Sequence, residues 1–211
     1  MPFPSLKVRV VLLLYRVAWA LGWPLALRYL RKRAAKDPAY AENMDQRFGK
    51  HAPRDAPHVR VHAVSLGEMR SAVPLVRSLL DDGHHVVTTH FTPAGRREAQ
   101  SVFGPEIAAG QMSSVWVPLD YNRAFRRFFA AFRPQYGLVM EVEFWPGMIM
   151  AARRAGVPLM LCNGQYPKRS YDRDAGKWIS LRDVVPGFAG VMVKNDMQAE
   201  QFRACGQTNI A

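Results

Sequence analysis

The sequence predicts an α/β fold: a Rossmann-like, mainly parallel sheet with helices on both faces, preceded by an apolar, basic N-terminal helix. Three observations lead there. From Val59 onward, apolar runs of β type alternate with helical patterns at short intervals. Each strand-like run is followed by a helix, and strict alternation of this kind favours crossover connections and parallel pairing. The 211 residues suffice for one well-buried domain and an appendage, but are short for two full domains. We divide the chain into an N-terminal helix (1–35), a connector (36–58) and the sheet domain (59–211).

In chain order, residues 8–30 are mostly apolar, with Trp19, Trp23 and Tyr29 among aliphatics and with Arg9, Arg16 and Arg28 interrupting. The uncharged stretch 17–27 is too short to cross a bilayer core, which takes about 20 apolar residues. No small-residue cleavage site follows it, so it does not read as a signal peptide. The pattern predicts a helix at a membrane interface, its basic cluster at 28–33 held by an anionic leaflet. An ordinary packing helix with a basic exit has the same local look. Pro38, Pro53 and Pro57 mark 36–58 as a connector with at most one short helix. Strands are predicted over 59–65, 85–92, 114–118, 136–143, 157–162 and 190–194. Helices are predicted over 68–80, 96–103, 123–132, 148–155, 171–182 and 197–205.

Charge narrows the partners. Against 17 acidic side chains stand 29 basic ones, a formal net charge of +12 that calls for an anionic partner. The basic residues lie beside apolar helix and sheet edge without interleaved stacking aromatics, so nucleic acid is not expected. Cys162 and Cys205 show neither metal-ligand spacing nor a disulfide framework, which suits a reducing compartment. The histidines form no ligand pattern either, and no metal site is expected.

Residues just after the strands of an open α/β sheet share the edge where ligands bind. The first strand delivers Ser65, Gly67 and Glu68, with Glu68 in the first helical turn, where the helix dipole favours a carboxylate. It is a candidate base facing a ligand, or a plain helix-start acid. Gly95 and Arg96 follow the second strand, in a turn able to receive an anion on backbone N–H groups or simply to lie in solvent. On a strand continuing to 143, Glu141 and Glu143 fall two apart on one face, where mutual repulsion raises the pKa of one. One of these acids is expected to hold loops, the other to face ligand. Lys168 and Arg169 follow the fifth strand, free to pair with an anionic substrate or to face solvent. Acids and cations on one rim suit deprotonation of a hydroxyl beside a negatively charged substrate.

These residues resemble one family, the bacterial transferases of 3-deoxy-D-manno-octulosonic acid (Kdo) that build the lipopolysaccharide inner core. The likeness runs through Arg47-Phe48-Gly49, then Val61-His62-Ala63-Val64-Ser65-Leu66-Gly67-Glu68, then Thr88-Thr89-His90-Phe91-Thr92-Pro93-Ala94-Gly95. It continues through Pro118-Leu119-Asp120 and Met140-Glu141-Val142-Glu143-Phe144-Trp145-Pro146. The resemblance implies the N-terminal half of a two-domain, inverting GT-B enzyme that moves Kdo from CMP-Kdo to a lipid A precursor. It implies action at the cytoplasmic face of the inner membrane, with no cofactor or essential metal. By the same resemblance Glu68 is the general base, and Glu141 and Glu143 support the acceptor. The implied partners are the anionic glycolipid acceptor, the membrane surface and a separate donor-binding domain, because Ala211 falls about where the family's linker to that domain begins.

Two features depart from the pattern. Where the family commonly has Asn-Ala-Arg-Leu-Ser, this chain has Asn163-Gly164-Gln165-Tyr166-Pro167, so Gln165 replaces a cation. The missing donor half leaves a second reading open: a non-catalytic membrane-surface module that binds acidic lipid or a partner glycosyltransferase.

Overall fold

A computed structural model describes residues 3–178 and 180–211. Its strands are β1 (His58–His62), β2 (His85–His90), β3 (Met112–Trp116), β4 (Tyr136–Met140), β5 (Leu159–Gly164) and β6 (Gly190–Val193). The helices are α1 (Leu6–Ala34), α2 (Met44–Arg47), α3 (Leu66–Asp81), α4 (Pro93–Val102), α5 (Gly104–Ala108), α6 (Asn122–Phe132), α7 (Pro146–Arg154), α8 (Lys168–Ala175) and α9 (Asp196–Ala204). All strand pairs are parallel, in the order β3-β2-β1-β4-β5-β6. The order reverses between β1 and β4, and such a switch point opens a crevice beyond the strands' carboxyl ends.

Alternation builds two cores. Val59 and Val61 of β1 pack with Met69, Ala72 and Val76 of α3. The residues between them face the other way: the Arg60 guanidinium lies 5.5 Å from the ring centroids of both Phe125 and Phe128 on α6. On that second face α6, α7 and α9 cover the sheet through Phe128, Phe132, Ile149 and Phe202. A strand buried on both sides explains the unbroken burial of β1.

Several expected boundaries move. The strand expected to run to 143 stops at Met140, because Glu141 takes a left-handed φ of 58° that no β ladder accommodates. The helix expected over 171–182 is α8, which ends before Gly176, followed by a separate 3₁₀ turn, Leu181–Gly187. Asp174, at the end of α8, is held by the Tyr166 hydroxyl at 3.0 Å rather than continuing an exposed helical face. Helix α4 starts at Pro93, since Thr92 caps it and a proline at the first position lacks only an N–H that would be orphaned anyway. The connector holds a 3₁₀ turn, Pro38–Ala41, as well as α2.

The connector is pinned, not loose. Arg47 is fully buried, its guanidinium 4.2 Å from the Trp116 ring centroid and 2.9 Å from the Phe91 carbonyl it donates to. Gly49 follows at φ 71°, and a Cβ there would stand 1.9 Å from the Ala124 carbonyl oxygen of α6. Backbone cannot yield as a side chain would. Gly49→Ala is therefore expected to cost about 3 kcal/mol from the left-handed strain and the overlap together, read as a lowered urea midpoint at unchanged m-value.

Helix α1 runs along the body. Its most apolar 18-residue window has a mean hydropathy of 1.7, so by length and composition it is long enough to cross a membrane, a correction to the expectation drawn from 17–27 alone. Yet it is fastened at both ends and the middle. Lys7 pairs with Asp183 at 2.8 Å, the Tyr15 hydroxyl donates to Asp120 at 2.6 Å, and Leu30 is buried with Tyr40 and Leu119. The opposite side exposes Leu6, Leu13, Leu14, Val17, Leu21 and Leu25.

Candidate active site

The switch point gathers the three acids. Ser65 caps α3, accepting from the Glu68 N–H at 3.3 Å, and its hydroxyl donates to Glu68 Oε1 at 2.9 Å. The Val64 N–H donates to the other carboxylate oxygen at 2.8 Å. This is close to a capping box, so Glu68 performs the structural duty expected of a helix-start acid. It is also 7 % exposed, and burial pushes its carboxyl above the usual range, with the charge of Glu141 adding to the rise against those two hydrogen bonds. The two readings of Glu68 are compatible in one geometry.

Across the crevice, Glu141 and Glu143 sit in the turn after β4 rather than on a strand face, so the two-apart rule does not bring them together. The turn does. Glu141 is held in its left-handed conformation by its N–H to the Cys162 carbonyl at 2.9 Å and by the Gln165 N–H to its own carbonyl at 3.2 Å. Left-handed non-glycine backbone costs about 1–2 kcal/mol and persists where surrounding bonds over-determine it. Asn163 on neighbouring β5 is left-handed as well, at φ 51°. Glu143 accepts from the Trp145 indole N–H. Burial first, then the negative charges of Glu68 and Glu141, push Glu143 up to about 7. The acids feel one another's charge, yet among the described residues no three acid, histidine or cysteine groups stand close enough to hold a metal ion.

The expected cations do not join them. Gly95 spends its N–H on Thr92 Oγ1 at 3.3 Å, and it is glycine because a Cβ would come within 2.9 Å of the Ser65 carbonyl oxygen. Its place is tight packing of α4 against the Ser65 turn, not an anion cradle. Arg96 stacks 4.8 Å from the Trp116 centroid, beside Arg47 on the same ring. Lys168 pairs with Asp172 at 2.8 Å on the exposed face of α8, and Arg169 lies in solvent. Gly67 is exposed at the start of α3, next to buried Glu68. Sequence reasoning missed Trp145 and Asp120. Both sit inside quoted motifs, and their polar hydrogen-bonding groups beside the acids and the α7 start were the available signal.

A family model described as 3-deoxy-D-manno-octulosonic-acid transferase (kdotransferase) matches residues 42–211. The chain belongs to the Kdo transferase family. It is similar to the 3-deoxy-D-manno-octulosonic acid transferase of Bordetella pertussis, 40 % identical over 187 residues, 87 % of this chain and 43 % of that protein. The Haemophilus influenzae protein of the same name is 30 % identical over 155 residues, 71 % of this chain and 35 % of its own. The chain thus spans less than half the length of these Kdo transferases. Among solved structures, UGT73P12 of Glycyrrhiza uralensis with glycyrrhetinic acid 3-O-monoglucuronide superposes at a TM-score of 0.49, with 14 % identity, over 74 % of this chain and 48 % of that one.

The Glu143 carboxyl has a readable consequence for a Kdo transferase domain. Its folded pKa stands above the unfolded value, so its stabilising effect is complete below about pH 4.5 and is lost as pH rises through about 7. Half-buried His51 and buried His90, pushed down to about 4 by loss of water, act oppositely, losing stability as pH falls from 6.5. Subtracting a Glu143→Gln variant removes the histidine contribution. The wild-type-minus-variant stability is expected to decline from about pH 4.5 to about 7 and to level off above that in urea titrations. A flat difference would remove the buried, charge-crowded placement of this acid.

Proposed function

We propose that this chain supplies the acceptor-binding half of an enzyme transferring Kdo from CMP-Kdo to a lipid A precursor. What carries the reading is one observation: in a chain of this family, Glu68 and two further acids meet at the sheet's switch point. In this reading Glu68 takes the proton from the acceptor hydroxyl as its oxygen attacks the anomeric carbon of the donor sugar, and the nucleotide monophosphate leaves. A raised carboxyl pKa improves the match between base and operating pH. Glu143, partly protonated near neutrality and held by Trp145, would orient the acceptor, and Glu141 fixes the turn. The chemistry asks for no metal or other cofactor, CMP-Kdo being a substrate.

The reading places the enzyme on the cytoplasmic face of an inner membrane, with α1 in the plane of the bilayer. Support comes from its fastening to the body, since a spanning helix would have to leave Tyr15–Asp120 and Leu30–Tyr40 behind. Its outward leucines would enter the acyl boundary and Arg31, Lys32 and Arg33 the headgroups. The test joins this chain to a donor domain and supplies CMP-Kdo and lipid A precursor on anionic vesicles. Sugar transfer is expected. Vesicle binding without transfer would instead favour the non-catalytic membrane-surface module.

A further inference from the structure

We propose that the cavity beneath α1 houses one hydrocarbon chain of the acceptor, seating this amphiphile with its head at the acid cluster. The identity of the amphiphile rests on the transferase reading; the chain-binding cavity does not. The cavity measures about 630 Å³, within the range of small-molecule sites. On one side α1 contributes Val11, Trp19 and Ala26; on the other the sheet edge contributes Phe91, Phe144 and Trp145. Along these apolar walls a nucleotide or a sugar would lose water without gaining partners, the polar lining lying mainly at Tyr15, Asp120 and the α8 side with Ser180. A hydrocarbon chain loses nothing.

Three placements argue for the acceptor's chain in particular. First, α1 is the shared wall between this cavity and the exposed leucine stripe, so the cavity lies beside the surface that meets lipid. Second, Arg173 and Lys177 line its α8 side around Asp174, to which they bond at 3.1 and 3.2 Å, while the other lining acid, Asp120, is taken up by Tyr15 and the α7 start. On that side two cations face one acid, a local positive balance complementary to an anionic headgroup. Third, the Trp145 ring lines the cavity, and its N–H is the one that holds Glu143. A chain lying against that indole brings its headgroup toward the reacting rim. Bulk phospholipid shares the chain but lacks the sugar headgroup that the acids are proposed to engage.

Bromine at the end of a fatty chain quenches nearby indoles, and Trp19 and Trp145 both face the cavity. With this chain in dilute solution, 12-bromododecanoate below its micellar concentration is expected to quench tryptophan emission saturably, at one molecule per chain. Lipid A precursor should displace it, while neither the deacylated precursor nor an equal concentration of phosphatidylglycerol should. Ala26→Phe, which fills the cavity from the α1 side, should weaken quenching at least tenfold, whereas Leu13→Phe on the outward face should leave it unchanged. Val11→Phe repeats the test should Ala26→Phe misfold. Unsaturable quenching, or quenching equally strong in both filled variants, would overturn the cavity as a chain site. Equal displacement by phosphatidylglycerol would overturn the acceptor as its occupant. None of these readings requires sugar transfer, so a failed transferase assay leaves them standing.

Discussion

Replacing Glu68 by glutamine, in this chain joined to its donor half, is expected to lower sugar transfer by about 10²–10⁴-fold, the usual contribution of a positioned general base. The substitution is chosen because the amide keeps the shape and one acceptor oxygen. Glutamine serves in a capping box nearly as well as glutamate, and Ser65 can rotate its hydroxyl to suit. The helix start at α3 should therefore survive, with stability changed by about 1 kcal/mol or less. What disappears is the ability to take a proton. A fall in kcat with the urea midpoint held separates a base from a cap; a parallel fall in both would make Glu68 a cap alone, and unchanged turnover would remove it from the chemistry. Because burial and Glu141 raise its pKa, the wild-type rate should also drop on acidification sooner than an ordinary glutamate would allow.

The second large effect is structural. Asp120 is 4 % exposed and accepts from the Tyr15 hydroxyl at 2.6 Å, the Gly147 N–H at 2.9 Å and the Met148 N–H at 2.6 Å. One carboxylate thus caps α7, fastens α1 and supplies negative charge to Arg60, which is fully buried and, among the described residues, has only the Thr89 hydroxyl, at 3.3 Å, as a hydrogen-bond partner. Asp120→Ala leaves both α7 N–H groups and the Tyr15 hydroxyl without their acceptor and removes negative charge from the surroundings of a buried guanidinium. Each buried polar group left unsatisfied costs about 1–3 kcal/mol, so a loss of about 3–5 kcal/mol is expected here by urea unfolding. Asp120→Asn should cost less, since it keeps an acceptor, and Tyr15→Phe least, about 1 kcal/mol for a single hydrogen bond. The reverse order would mean that α1 docking, not the buried charge, dominates the site.

Part of this site was readable from residues alone. Ser65-x-Gly67-Glu68 announces a cap and a first-turn acid because capping is decided within four residues. Glu141 and Glu143 were singled out on a wrong premise, a continuing strand. The turn that unites them depends on bonds to Cys162 on the next strand and to Gln165 just after it, and no local pattern carries those. The basic residues near the strand ends invited a common rim, yet Arg96 is drawn to Trp116, a partner visible only once the chain is folded, and Lys168 to Asp172 four residues along α8, a local pairing the reading passed over.

By itself the sequence settled the alternation of strand and helix, the parallel class of the sheet, the acid at the start of α3 and the apolar character of the N-terminal helix. These follow from periodicity and capping, which act over one or two turns. Tertiary structure alone decided that β1 lies beside β4, that α1 is laid against the body with a cavity beneath it, and that Arg60 and Asp120 share a dry interior. Each of those depends on which distant segments exclude water together, and burial between residues far apart in the chain leaves no mark on the local order of side chains.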